Sequence, residues 1–344
     1  MTLSRRALVA LSLLAVPALA SCSGGGADAA RGDGADEAFS ATIPHLYGET
    51  VLEAKPTRIA TVSWVNADTL LALGLVPAGM PVVTWGGNDN GSTDWIDAAL
   101  EELGAGWGTE NAPATYDESD GINLDEIAAV VPDLIVAAYS GITEEEYAQL
   151  SKIAPTIGPL APNYTASWED VLAALGTATG LSEQAATLTE QISGDLAAVG
   201  EENPAVAGAT FIAGSLGLTD NSIALYLGDD TRPRFFTALG MTQAEVVTEN
   251  TADSETFYLE WSAERADELV SDLIYSWAAP GTTVEDFQDN ELFAQIPAVA
   301  DGGVVLTDDD HLTLSISAAN ALSLPWALEH FVPTVVEVAQ SVRG

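Results

Sequence analysis

Apolar residues fall along the chain in two alternating rhythms. Arg58-Ile59-Ala60-Thr61-Val62-Ser63-Trp64 is a β-branched run, and the apolar positions of residues 67–73 follow at helical spacing until Gly74 ends them. Residues 75–78 with Val82-Val83-Thr84-Trp85 predict a second strand region. Residues 124–130 predict a helix running into the strand-like Pro132-Asp133-Leu134-Ile135-Val136-Ala137-Ala138, and a helix over 144–152 leads to an extended segment over 153–159. Strands that alternate with helices argue for a mainly parallel sheet covered by helices, and residues 40–166 make one such lobe.

Residues 167–199 contain no proline, and Val171, Leu172, Leu175, Leu188, Ile192 and Leu196 recur at helical intervals. A single helix of about 30 residues over 167–200 would reach roughly 45 Å, enough to span two lobes. Gly176 and Gly180 are its weak points, each costing about 1 kcal/mol relative to alanine in a helix interior. After Pro204 a second set begins, with strands over 209–213, 273–277 and 303–306 and helices over 234–239, 263–269 and 318–331. The pattern predicts an α/β protein of two lobes with mainly parallel sheets, joined by a single long helix, the second lobe occupying 201–344. With 47% hydrophobic residues the chain is rich enough in apolar side chains to fill two cores.

The first residues follow another logic. Arg5 and Arg6 precede an apolar run too short to span a membrane, and Leu19-Ala20-Ser21-Cys22 sets the chain's only cysteine directly after small residues, resembling a bacterial lipobox. Residues 1–21 read as a signal peptide and 22–39 as a flexible tether carrying lipid on Cys22, which predicts an extracytoplasmic protein anchored to the cell membrane. With one cysteine there is no disulfide framework and no cysteine-based metal or redox site. Ten basic residues against 51 acidic ones give a formal charge of −41, which excludes nucleic acid as a partner and makes each remaining cation noticeable.

A family resemblance rests on several segments in order. Pro56-Thr57-Arg58-Ile59-Ala60-Thr61, then Leu70-Leu71-Ala72-Leu73-Gly74-Leu75-Val76-Pro77-Ala78-Gly79, then Asn123-Leu124-Asp125-Glu126-Ile127 with Pro132-Asp133-Leu134-Ile135, resembles the iron-siderophore and cobalamin class of ABC-transporter substrate-binding proteins. Tyr139-Ser140-Gly141-Ile142-Thr143-Glu144-Glu145 and Leu150-Ser151-Lys152-Ile153-Ala154-Pro155 are similar to its siderophore branch. The resemblance implies a shallow ligand cleft between the lobes, little hinge motion, a ferric siderophore as ligand, and ABC permease subunits as partners. Haem and cobalamin are the alternative ligands in the same fold. It implies no cofactor of the protein's own, iron arriving only inside the ligand.

Ligands of open α/β sheets sit at the carboxyl ends of strands, which singles out Trp64, Trp85, Tyr139, Ser215 and Trp277. The aromatic ones offer faces for stacking. Gly228-Asp229-Asp230-Thr231-Arg232-Pro233-Arg234-Phe235-Phe236 adds Arg232 and Arg234, whose planar forks suit the oxygens of an anionic chelate or, alternatively, balance the neighbouring acids. Asp125 and Glu264 each open a helix, where an acid favours the helix dipole. By resemblance they are also the lobe-top acids that engage arginines of the permease.

Other chemistry is thinner. Ala213-Gly214-Ser215-Leu216-Gly217 after a strand resembles a relaxed nucleophile elbow, and with His311 and His330 downstream it supports a competing reading as an exported lipoprotein serine hydrolase. His45, His311 and His330 are too few and too dispersed for a multi-histidine metal site. Asp308-Asp309-Asp310-His311 reads as a solvated acidic turn, and Asn88-Asp89-Asn90-Gly91 lacks the glutamate that would complete a calcium loop.

Overall fold

Two aspartates in equivalent places tie down the starts of the central strands. Asp133 accepts hydrogen bonds from the backbone N–H of Thr57 (2.8 Å) and Arg58 (2.9 Å) and from the Thr57 hydroxyl (2.8 Å), while Asp272 does the same for the N–H and hydroxyl of Thr210 (2.8 and 2.9 Å). Each stands one residue ahead of a strand that is buried throughout or at all but its last residue, so a Pro-Asp-Leu-Ile or Ser-Asp-Leu-Ile sequence joins a strand to the foot of its neighbour. Burial works against the Asp133 charge, but the bonds it accepts outweigh that and hold its pKa below the usual carboxylate range.

The computed structural model describes residues 39–63, 65–251 and 256–344. Strands β1 (Ala41–His45) and β2 (Gly48–Leu52) form an antiparallel hairpin against the first lobe. That lobe's sheet holds β3 (Ile59–Thr61), β4 (Gly79–Pro81), β5 (Ala114–Tyr116), β6 (Leu134–Val136) and β7 (Thr156–Ile157), all parallel, in the order β5-β4-β3-β6-β7. Every residue of β3 and β6 is buried, as a parallel sheet covered on both faces requires.

The second lobe departs from the expected plan. Its strands β8 (Thr210–Gly217), β9 (Ser222–Tyr226), β10 (Thr242–Gln243), β11 (Tyr258–Trp261), β12 (Leu273–Trp277) and β13 (Val304–Thr307) give the order β11-β9-β8-β12-β13, with β10 beside β8. β8, β10, β12 and β13 are parallel, but β9 runs antiparallel to both β8 and β11. Residues 218–221 are too short for a parallel crossover, which needs a dozen residues or more, so they close a hairpin with Asn221 in the left-handed region at φ 56°.

The expected single helix over 167–200 is two. Helix Trp168–Thr179 stops at Gly180, which adopts φ 70°, and helix Ser182–Glu202 follows as the long connecting helix, about 30 Å at 1.5 Å per residue. Gly176 allows the two to pack, because a Cβ there would meet the Ala185 methyl at 2.6 Å. Both glycines that weaken a straight helix are therefore used to fold it back on itself. One buried apolar cluster then runs without a break from Leu134, Tyr139 and Ile157 of the first lobe, through Leu172, Leu175 and Leu196, to Phe211, Phe236 and Phe331 of the second.

A second seam closes the lobes on the far side. Leu314 of helix Asp310–Ser317 and Ala318, which caps that helix, pack with Leu71, Met80 and Trp95. Beside them Asp68, fully buried, accepts hydrogen bonds from the Trp95 indole (2.7 Å) and, across the junction, from the Asn320 amide (3.0 Å). His311 donates through Nδ1 to the Gly86 carbonyl at 2.6 Å. Burial pushes the Asp68 pKa up to about 6, with its hydrogen bonds pulling the other way. Since the folded value lies above the ordinary 3.8, the fold favours the protonated acid, and this group's contribution to stability falls as pH rises from about 4 to about 6. Comparing urea midpoints, Asp68→Asn gains on the wild type across that window and the difference stays flat above about pH 6; a difference that does not change with pH contradicts the assignment.

Candidate ligand-binding cleft

The helix Thr231–Ala238 starts with Asp230 as its cap, and the same carboxylate holds the side chain that follows. Asp230 accepts from the Arg232 N–H (3.0 Å) and grips the Arg232 guanidinium from two sides, Nε at 2.7 Å and Nη2 at 2.7 Å. The guanidinium carbon lies over the Tyr226 ring, 3.3 Å from its centre, with only 12% of the arginine side chain exposed. Burial opposes its charge, but the Asp230 bonds and charge prevail and hold its pKa above the ordinary value. The Tyr226 hydroxyl in turn accepts from the Trp277 indole at 3.0 Å. Arginine, tyrosine and tryptophan are thus locked to one another on the second lobe.

Trp85 completes the wall from the first lobe, its ring 6.3 Å from that of Trp277 and tilted by 74°. Together with Phe257 and Tyr258 these residues line an open cleft of about 420 Å³, with Thr313 and Ser317 at one side. That volume falls within the ordinary range of small-molecule sites. The Thr231 hydroxyl donates to the Ser317 carbonyl (2.8 Å), tying the two helices that border the cleft.

The structure brings together Trp85, Arg232 and Trp277 among the residues singled out by sequence. Tyr139 stands behind them. It is 4% exposed, packs on Tyr164 at 5.6 Å, and has its pKa raised by burial first and by the Asp230 charge second. Tyr164 itself is 43% exposed and follows Asn163, both in the left-handed region at φ 62° and 52°. Arg234 faces other grooves, donating to the Thr165 carbonyl at 3.1 Å and lying 3.7 Å from the exposed Asp229. Trp64 and Cys22 lie outside the described residues. Asp125 and Glu264 are exposed in the first turns of short helices, that of Glu264 being a 3₁₀ turn over Ala263–Glu268 instead of an α-helix.

Ser215 is not at a nucleophile elbow. It lies inside β8, opposite Ala224 of β9, and the strand continues into a hairpin where an elbow needs a sharp turn into a helix. His311 is packed against Trp95 (4.8 Å) and His330 is stacked on Trp326 (4.1 Å). Among the described residues no group of three or more histidines, cysteines and acids is placed to hold a metal.

Sequence reading missed Tyr226, Phe257 and Tyr258. Tyr226 was detectable in principle as an aromatic at a strand end, but the strand itself went unseen because an antiparallel hairpin was not anticipated. Glu118 was missed as well: its carboxylate accepts the Ser63 N–H at 2.8 Å at the end of β3, its other oxygen is buried without a hydrogen-bond partner, and burial raises its pKa to about 7.

A family model described as periplasmic binding protein matches residues 59–311. The chain belongs to that family. It is 25% identical over 332 residues to the protein of Bacillus subtilis (strain 168) named "Probable siderophore-binding lipoprotein YfiY", covering 90% of this chain and 93% of that one. Among solved structures, Streptococcus pneumoniae TIGR4 PiaA in complex with ferrichrome is similar at a TM-score of 0.80 and 28% identity, over 88% of this chain and 99% of that one. A periplasmic solute binding protein from Mycobacterium smegmatis str. MC2 155 shares the fold at a TM-score of 0.70 and 24% identity, over 88% and 99% of the two chains.

The unequal settings of the two arginines of this binding protein predict unequal effects. Arg232→Gln leaves Asp230 buried without its cation and lowers the unfolding free energy by about 3 kcal/mol. Arg234→Gln, at a more exposed and longer contact, lowers it by less than about 1 kcal/mol. Urea denaturation distinguishes them, and equal losses contradict this account of the pair.

Proposed function

We propose that this chain is the extracytoplasmic substrate-binding component of an ABC importer, capturing a ferric siderophore in the cleft of Trp85, Tyr226, Arg232 and Trp277 and delivering it to the membrane permease. The observation that carries the reading is the aromatic cleft itself, built from both lobes on one continuous core, in a chain similar along nearly its whole length to a ferrichrome-bound protein. Preformed aromatic faces suit a bulky, rigid chelate, since little ordering remains to be done on binding. Titrating the protein with ferrichrome, with haem and cobalamin alongside, should quench tryptophan fluorescence saturably through Trp85 and Trp277. Binding of haem or cobalamin alone would reassign the ligand.

Anchoring and delivery belong to other residues. Cys22 is the site of lipid attachment and residues 22–39 the tether that lets the folded body reach the permease. Asp125 and Glu264, exposed on different lobes, pair with permease arginines and fix the docked orientation. Exposed pairs contribute only about 0–1 kcal/mol each, so a single substitution dents delivery and both are needed to break it. In cells, Asp125→Ala with Glu264→Ala should reduce uptake of the ferric chelate while the purified variant keeps its dissociation constant, and Cys22→Ala should move the protein from membrane to soluble fractions. Normal uptake by the double variant, or retention of Cys22→Ala on washed membranes, removes the corresponding assignment.

A further inference from the structure

The charge of the cleft limits what it can take. Arg232 is the one cation lining it among the described residues, and its charge is already met by Asp230 through two bonds of 2.7 Å. Of the other described cations, Arg58 is committed to the Val130 and Val131 carbonyls, Arg234 to Thr165 and Asp229, Arg265 to Glu268, Arg343 to Asp272 and Ala205, and Lys55 lies over Phe39, while Lys152 is exposed to solvent and does not line the cleft. On the first-lobe side Glu118 stands against Ser63, which shares a small cavity with Trp85. Around all of this lies a protein of net charge −41, whose field is screened only beyond about 8 Å at physiological salt.

A ferric tris-catecholate is a trianion and carboxylate-type chelates are also anionic. In this cleft such a ligand would give up its hydration without an unpaired cation to replace it. A ferric tris-hydroxamate has no net charge at the metal centre. It offers carbonyl and N–O oxygens to the N–H groups of Arg232 that Asp230 does not use, and apolar surface to Trp85, Tyr226 and Trp277. Resting on the siderophore-binding reading above, we infer that the Asp230–Arg232 pair makes the cleft electrically neutral and selects uncharged tris-hydroxamate ferric chelates over anionic ones.

The test is a fluorescence-quenching panel on the whole mature protein with ferrichrome as the uncharged chelate and ferric enterobactin and ferric citrate as anionic ones, repeated at low and high salt. Ferrichrome should bind at least about tenfold tighter than either anion, with the gap narrowing as salt rises. Asp230→Asn, which keeps a good helix cap but removes the charge, should shift the ratio about tenfold toward the anions by releasing the Arg232 charge. If that variant is too unstable to titrate, the wild-type panel decides alone. An anionic chelate binding as tightly as ferrichrome, or an unchanged ratio in a folded Asp230→Asn, overturns the charge inference and leaves siderophore capture standing. No binding by any chelate overturns both.

Discussion

The cleft depends on the two lobes being held at one angle, and that angle is set by apolar packing that never stops at a lobe boundary. The cluster running from Leu134 through Leu172 and Leu196 to Phe331 joins both sheets through the connecting helices. Opening the lobes would expose much of it to water at roughly 25 cal/mol for each Å² of apolar surface. The second seam adds direction to this cohesion. Asp68 receives one hydrogen bond from each lobe on a single oxygen, and displacing Asn320 would leave buried polar groups unpaired. A rigid frame follows, and the binding surface is largely formed before a ligand arrives.

Within that frame the charge arrangement is local. Arg232 is bound by the carboxylate two residues before it and stacked on a tyrosine from the neighbouring strand, so its position is fixed by one helix start and one hairpin. Tyr226 ties the same arginine to Trp277 on another strand. A buried pair of this kind contributes less to stability than its short distances suggest, because both ions have lost water. Its stronger consequence is for specificity: the guanidinium keeps its geometry and donors while its net charge is cancelled.

Much of the architecture was legible along the chain because it follows from local rules. Mostly apolar runs separated by helical periods identify a parallel sheet: β12 and β13 lie within a residue of the predicted runs, and β3 and β6 fall inside theirs but are shorter by two or three residues at an end. The weaknesses at Gly176 and Gly180 were also legible. What they led to was not, since whether a helix bends or folds back depends on the Ala185 contact that only packing supplies. The hairpin of β8 and β9 was missed for a related reason: an alternating lobe sets an expectation of crossovers, while the few residues of the turn forbid one.

By itself the sequence determined the α/β class, two lobes, the acidity and the candidate aromatics and arginines, because composition and periodicity act over a few residues. Only the tertiary structure decided which of those side chains meet. Trp85 reaches Trp277 across almost two hundred residues of chain, Arg232 faces the cleft while Arg234, two residues on, faces another groove, and Ser215 ends inside a strand. The physical reason is that charge and stacking fall off within a few ångströms, so a side chain's role is set by its spatial neighbours, and these are fixed by how the sheets and helices pack.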